Sequence, residues 1–168
     1  MTIENKFNLI EEPWIPVVDV GRVTLRQLFS HLEYRALGGN PVQKIALTKL
    51  LLAIAQAACT PEDDDDWAGI QPAGLANRCL EYLDKWHDRF YLYGEKPFLQ
   101  MPAIKAAAVQ TFGAVLAEVS TGNATVLNQS QIEKSLTDAD KALLVVQLMG
   151  FGLGGKKTDN SIVLSPAY

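Results

Sequence analysis

Residues 137–160 read TDADKALLVVQLMGFGLGGKKTDN, and the fold turns on whether this stretch is a phosphate-binding loop or the end of a helix. Gly150, Gly152 and Gly155 satisfy G-x-G-x-x-G, and Gly150, Gly155 and Lys156 come close to G-x-x-x-x-G-K-[ST]. Either pattern binds phosphate only where a strand delivers the loop and a following helix aims free N–H groups at the ligand. Here the order is reversed. Thr137 is a good N-cap, Asp138 and Asp140 suit the positive end of a helix, and the spacing predicts a helix over 138–149. Leu143, Leu144, Val146, Leu148 and Met149 would form its apolar face. Gly150 then stands where a C′ glycine ends a helix, and a helix C-terminus carries carbonyl oxygens and partial negative charge, which repel phosphate. The following KKTDNSIVLSP reads as loop and then strand, and Lys157 occupies the place where a P-loop needs a hydroxyl, with Thr158 one residue late. A nucleotide loop fails this context test. A nucleotide-binding enzyme using Gly150–Lys157 stays as the alternative reading.

Working outward, the rest of the chain predicts a helix-rich α+β single domain with a few short antiparallel strands. Asn40 as N-cap and Pro41 at the first helical position open a helix over 41–58, apolar nearly all round through Val42, Ile45, Leu50, Leu52 and Ile54, and expected to be the core. A second long helix is expected over 72–91, where Leu75, Cys79, Leu80, Leu83, Trp86 and Phe90 recur at three and four residues. Thr24 and Gln27 form a capping-box pair ahead of a short helix running to about His31. Extended pieces are expected at 7–18, 23–25, 97–101 and 161–164, the first broken by Pro13 and Pro16 and joined to the second by a turn at Gly21. The four aspartates 63–66 read as a solvated loop, since a calcium loop needs alternating ligands, a fixed glycine and a later glutamate that this stretch lacks.

Composition narrows the function classes. The 168 residues are 48% apolar and 20% charged with a formal net charge of −4, which disfavours a free-standing domain that holds nucleic acid by bulk electrostatics. Cys59 and Cys79 lie in apolar helical patterns and read as reduced core thiols, not as a disulfide framework or a C-x-x-C metal site. His31 and His87 stand on different helices without a neighbouring nucleophile or ligand cluster, so both read as surface or hydrogen-bonded histidines. The opening MTIENKFNLIEEPW has no basic n-region or long apolar run, and no window reaches the ~18 apolar residues of a membrane span. A cytoplasmic protein is expected. The closing SIVLSPAY, a strand-like run with nothing after it to pair with, suggests a piece of a longer protein.

Four glycines and two lysines together still ask for a role. Glycine lets a backbone approach a ligand closely, and Lys156 and Lys157 put local positive charge on an acidic chain, which suits a loop laid against a nucleic-acid groove or backbone. A solvated connector with incidental lysines is the plainer reading of those eleven residues alone.

Four segments, in order, resemble the N-terminal domain of the CasA family, the large subunit of the type I-E CRISPR surveillance complex, Cascade. FNLIEEPWIPV with its glycine turn and VTLRQLF resembles the family's opening strand and short helix. LYGEKPFLQ resembles its F-x-L-x-x-x-x-P-F-x-Q segment, STGNATVLNQ its G-A-T-N-x-x-x-x-N-Q loop, and the glycine run with Lys156 its Gly-rich loop. The resemblance implies a subunit with no catalysis of its own and no cofactor. It implies that the subunit inspects the short PAM beside a target in double-stranded DNA, helps part the strands for the guide RNA, and offers a platform to the helicase-nuclease. Carried over by position, Gly152, Gly154, Gly155 and Lys156, with Lys157 beside them, would lie against the PAM. Val126, Leu127, Asn128 and Gln129 would form the loop that docks onto the other Cascade subunits near the guide-RNA 5′ end. The family often carries an aromatic residue where Val126 stands. Some members have a C-x-x-C pair after the docking loop, where this chain reads EKSLTDAD, so no zinc is expected. The family's C-terminal helical bundle would lie beyond residue 168.

Overall fold

The computed structural model describes residues 4–101, 109, 112 and 135–151. Among these, four helices stand beside two small sheets of short strands. Strand β1 (Lys6–Asn8) is followed by a tight turn, β2 (Ile15–Val17) pairs antiparallel with β3 (Gly21–Val23), and then come α1 (Leu25–Ser30), α2 (Pro41–Ala58) and α3 (Asp64–Lys85). A single 3-10 turn, His87–Arg89, leads into β4 (Tyr91–Tyr93), and α4 (Asp138–Gly150) follows. This is the helix-rich α+β arrangement expected, with two small antiparallel sheets, β1–β4 and β2–β3.

The local signals that worked are caps. Thr24 and Gln27 exchange side-chain and backbone hydrogen bonds at the start of α1, Asn40 and Gln43 do the same at α2 behind Pro41, and Thr137 and Asp140 at α4. Each pair satisfies two orphan helix N–H groups, so these boundaries fall where the sequence puts them.

Several expectations need correction. The stretch 7–18 is not one extended piece: Asn8 Oδ1 accepts from Ile10 N–H at 2.9 Å and its carbonyl accepts from Glu11 and Glu12, turning the chain between β1 and β2. Pro16 is tolerated inside β2, and its carbonyl still accepts from Gly38 N–H at 2.8 Å. The aspartates are not a solvated loop either. Asp63 caps α3 by accepting from Asp66 N–H at 2.8 Å, and Asp64, Asp65 and Asp66 form its first turn, where the helix dipole offsets their mutual repulsion. The helix kinks at Gln71, whose ψ of 153° leaves the helical region as the crowding ring of Pro72 requires of the residue before it, with φ at 59°.

A further correction concerns 86–101. The apolar spacing predicted helix to residue 91, yet α3 stops at Lys85, and 91–93 forms β4 against β1 with Lys6 opposite Tyr93 and Asn8 opposite Tyr91. Asn8 Nδ2 also donates to the His87 carbonyl at 3.1 Å, and Leu9 N–H donates to Phe90 carbonyl at 2.9 Å, so the N-terminal strand recruits this segment away from the helix. Trp86, placed on the apolar face by its spacing, is instead 40% exposed, with the Lys85 ammonium 5.6 Å from its ring. Residues 97–101 are not a strand: Phe98 N–H and Gln100 Nε2 bond the carbonyls of Tyr91 and Leu92, both at 2.8 Å, through a turn with Leu99 at φ 54°. The expected strand at 161–164 lies outside the described residues.

The core gathers Leu9, Ile10, Trp14, Ile15, Leu25, Leu47, Cys79 and Leu83, all fully buried. Trp14 anchors it, donating its indole N–H to the Leu9 carbonyl at 2.9 Å and so burying no unpaired polar atom. Helix α2 is less central than its composition suggested. Ala46, Leu47 and Ile54 face the core, whereas Ile45 and Leu52 stand 49% and 56% exposed. Cys79 is a core thiol as expected, but Cys59, at the end of α2, is only half-buried and has the Arg78 guanidinium on its sulfur at 2.6 Å.

Candidate functional site

Every residue assigned to DNA or docking from the sequence, Gly152, Gly154, Gly155, Lys156 and Lys157 in one group and Val126, Leu127, Asn128 and Gln129 in the other, lies outside the described residues. What the structure supplies is the element that immediately precedes the glycine run, α4, and its two ends are held by different chemistry.

At the start, Arg22 of β3 forms an ion pair with Asp140 and Tyr93 of β4 donates its hydroxyl to Asp138 at 2.7 Å, with Lys141 Nζ 3.5 Å from the same oxygen. Both carboxyls are thereby held below the ordinary aspartate value: Asp138 by the Tyr93 hydroxyl and then Lys141, Asp140 by the Thr137 hydroxyl and then Arg22. Burial, then the adjacent carboxylate, pushes Tyr93 up. These contacts join α4 to both small sheets. Another exposed hub, Arg26, bonds Glu11 at 2.7 Å and Asp84 at 2.8 Å and ties α1 to the β1–β2 turn and α3, lowering Glu11.

At the end, α4 has no basic residue in its last turn, and its orphan carbonyls need a donor from elsewhere. Lys49 of α2 supplies it: Nζ donates to the Gly150 carbonyl at 2.7 Å and lies 5.1 Å from the centre of the Phe151 ring. Gly150 itself is not the C′ residue expected. It is the last residue of the helix, and Phe151 caps it in an extended conformation at φ −130°, ψ 138°. Glycine is required there by proximity, since a Cβ would come within 2.9 Å of Ala46 Cβ and 3.1 Å of Ala46 Cα. Sequence reasoning missed Lys49, one of two lysines on a mostly apolar helix.

The glycine run therefore follows a helix C-terminus, with the carbonyl end already turned to a lysine of this chain. That polarity does not suit phosphate. Among the described residues no group of three His, Cys, Asp or Glu side chains could hold a metal ion, and no helix is long and apolar enough to cross a membrane. His31 bonds Glu33 at 2.8 Å and stacks on Tyr34, and His87 sits 3.7 Å from Glu11 and edge-on to Tyr91, as expected of surface histidines.

Residues 8–167 match the family model described as CRISPR-associated protein Cse1. The chain belongs to the Cse1 family. A Cse1-family relative, the CRISPR-associated protein CasA/Cse1 of Thermus thermophilus, is 33% identical over 175 aligned positions, covering 90% of this chain and 34% of the relative. Cse1 of Thermobifida fusca superposes with a TM-score of 0.70 at 28% identity over 86% of this chain and 30% of its own. Cse1 of Acidimicrobium ferrooxidans does so with 0.70 at 26% identity over 89% and 29%. A chain of a CRISPR RNA-guided surveillance complex shares the fold at 19% identity and a TM-score of 0.66. This chain spans about a third of the length of the relatives it matches.

Proposed function

We propose that this Cse1-family chain is the N-terminal domain of the large subunit of a type I-E Cascade complex and works by binding, with no catalysis and no cofactor of its own. In this reading Gly152, Gly154, Gly155, Lys156 and Lys157 meet the PAM in double-stranded DNA. Val126, Leu127, Asn128 and Gln129 dock onto the other subunits near the guide RNA, and the full subunit assists strand separation and receives the helicase-nuclease, in the cytoplasm. The observation that carries the DNA assignment is the placement of a glycine and dilysine run directly after the C-terminus of α4, in a Cse1-family domain.

The physics is consistent. The minor groove distinguishes mainly A·T from G·C, so a backbone-lined glycine loop there would tolerate several PAMs. A net charge of −4 is no obstacle where base pairing supplies sequence specificity and other subunits hold the heteroduplex. A nucleotide enzyme using Gly150–Lys157 is disfavoured by the carbonyl end of α4, which faces the run where phosphate needs N–H groups.

The test is PAM-duplex binding by the reconstituted complex carrying the full-length subunit. Lys156→Ala and Gly154→Pro are each expected to weaken binding of the PAM duplex while the complex stays assembled. Unchanged binding in both would remove the site assignment, and thermal stabilisation of the chain by ATP would favour the enzyme instead.

A further inference from the structure

We infer that Lys49 is a positioning residue for the DNA contact: with Ala46 it grips Gly150 and Phe151, fixing the point from which the glycine and dilysine run starts. The inference rests on the reading of residues 152–157 as the DNA contact. Its grounds are the three interactions that converge on two consecutive residues.

First, Lys49 Nζ donates to the Gly150 carbonyl at 2.7 Å, across 101 positions of sequence. Second, the same ammonium stands 5.1 Å from the Phe151 ring centre, so one cation holds both the last helical residue and the first residue beyond it. Third, Gly150 packs so closely on Ala46 that a single added carbon would clash with the Ala46 side chain, 2.9 Å away. Ala46 is buried, and Lys49, three residues on, reaches past it at the helix surface. The grip is thus a close-packed stop beneath and a charged clasp above.

A helix end that only needed capping would be served by any donor in its own last turn. Here the donor comes from a different helix, and α2 is itself fixed to the core through Leu47 and Ile54. The run begins one residue after this fixed point. A contact that reads a groove edge depends on where its backbone is held, so loosening the grip should blur discrimination before it abolishes binding.

The experiment uses the reconstituted complex with the full-length subunit and two duplexes, one bearing the PAM and one lacking it. Lys49→Met is expected to reduce the preference for the PAM duplex by roughly tenfold, about the discrimination of one base-pair position. Subunit incorporation and the salt dependence of binding should stay as in the parent, and Lys49→Arg should restore most of the preference. Gly150→Ala is expected to lose preference as well and to recover it with Ala46→Gly, which keeps the test decisive if Lys49→Met assembles poorly. An unchanged preference in Lys49→Met, while Lys156→Ala lowers binding, overturns the inference and leaves the DNA assignment standing. Should Lys156→Ala and Gly154→Pro both bind as the parent does, the assignment fails and the inference with it. A loss in Lys49→Met that only tracks lost subunit assigns Lys49 to stability alone. A salt slope lower by about one assigns it to direct phosphate contact. Either result also overturns positioning.

Discussion

The corner around Trp14 and the Gly150 end of the seam between α2 and α4 bury different things. At the corner the largest side chains go inward: Trp14, Leu9, Ile10, Ile15 and Leu25 are fully buried, and the indole N–H is satisfied by the Leu9 carbonyl. At the seam's end a glycine meets an alanine, while Ile45, Leu52 and Met149 stay 49%, 56% and 42% exposed. Apolar area removed from water is what stabilises a fold, so the corner carries stability. Small residues in contact let backbones approach closely and leave little room to slide, so the end of the seam sets position. Helix α4, which precedes the glycine and lysine run, has both kinds of contact: Leu143 and Val146 join the same core as Trp14, whereas its last residue, Gly150, meets Ala46.

The contrast can be broken at several points. Trp14→Ala should cost about 3–5 kcal/mol, since it leaves a cavity no neighbour can fill, and equilibrium denaturation of the chain would measure it; a loss under about 1 kcal/mol would deny the corner its role. Gly150→Val should cost about 1–3 kcal/mol by overpacking against Ala46. A silent Gly150→Val would mean the seam is loose. Thr137→Ala should cost about 1 kcal/mol by removing the cap of α4 and one partner of Asp140, read from the denaturation midpoint.

The smallest effect is in pH. Asp138 and Asp140 are both held below the ordinary aspartate value of 3.8. Their contribution is therefore present above that value and fades as pH falls through their lower folded values. For Asp140, about a third exposed, it should stay below about 1 kcal/mol because solvent screens the Arg22 pair. Asp140→Asn should flatten the acid limb of stability against pH, and an unchanged limb would show that this end of α4 is not held electrostatically.

How much of this was legible in the sequence follows from the range of each interaction. Caps are local: Thr24 with Gln27, Asn40 with Gln43, and Thr137 with Asp140 each span three residues, and each was readable. The Asp63–Asp66 run was misread because four acids fit a solvated loop and a helix N-terminus equally well until the dipole behind them is known. Strand β4 was hidden because Trp86 and Phe90 continue the helical spacing, and its partner β1 lies more than 80 residues away. Periodicity marked Ile45 and Leu52 as apolar but could not say which face of α2 the core would take. The polarity of the chain entering the glycine run was legible from Thr137 and its acids. Lys49 was not, because its partner is 101 residues distant and is a backbone carbonyl, which no residue type announces.

The central claim is that the run after α4 meets a duplex with its two lysines. Its most direct measurement is the salt dependence of PAM-duplex binding by the assembled complex, parent against Lys156→Ala/Lys157→Ala. Removing two phosphate-facing cations should lower the slope of log K on log salt by about 1.8. An identical slope in the two complexes would contradict the account.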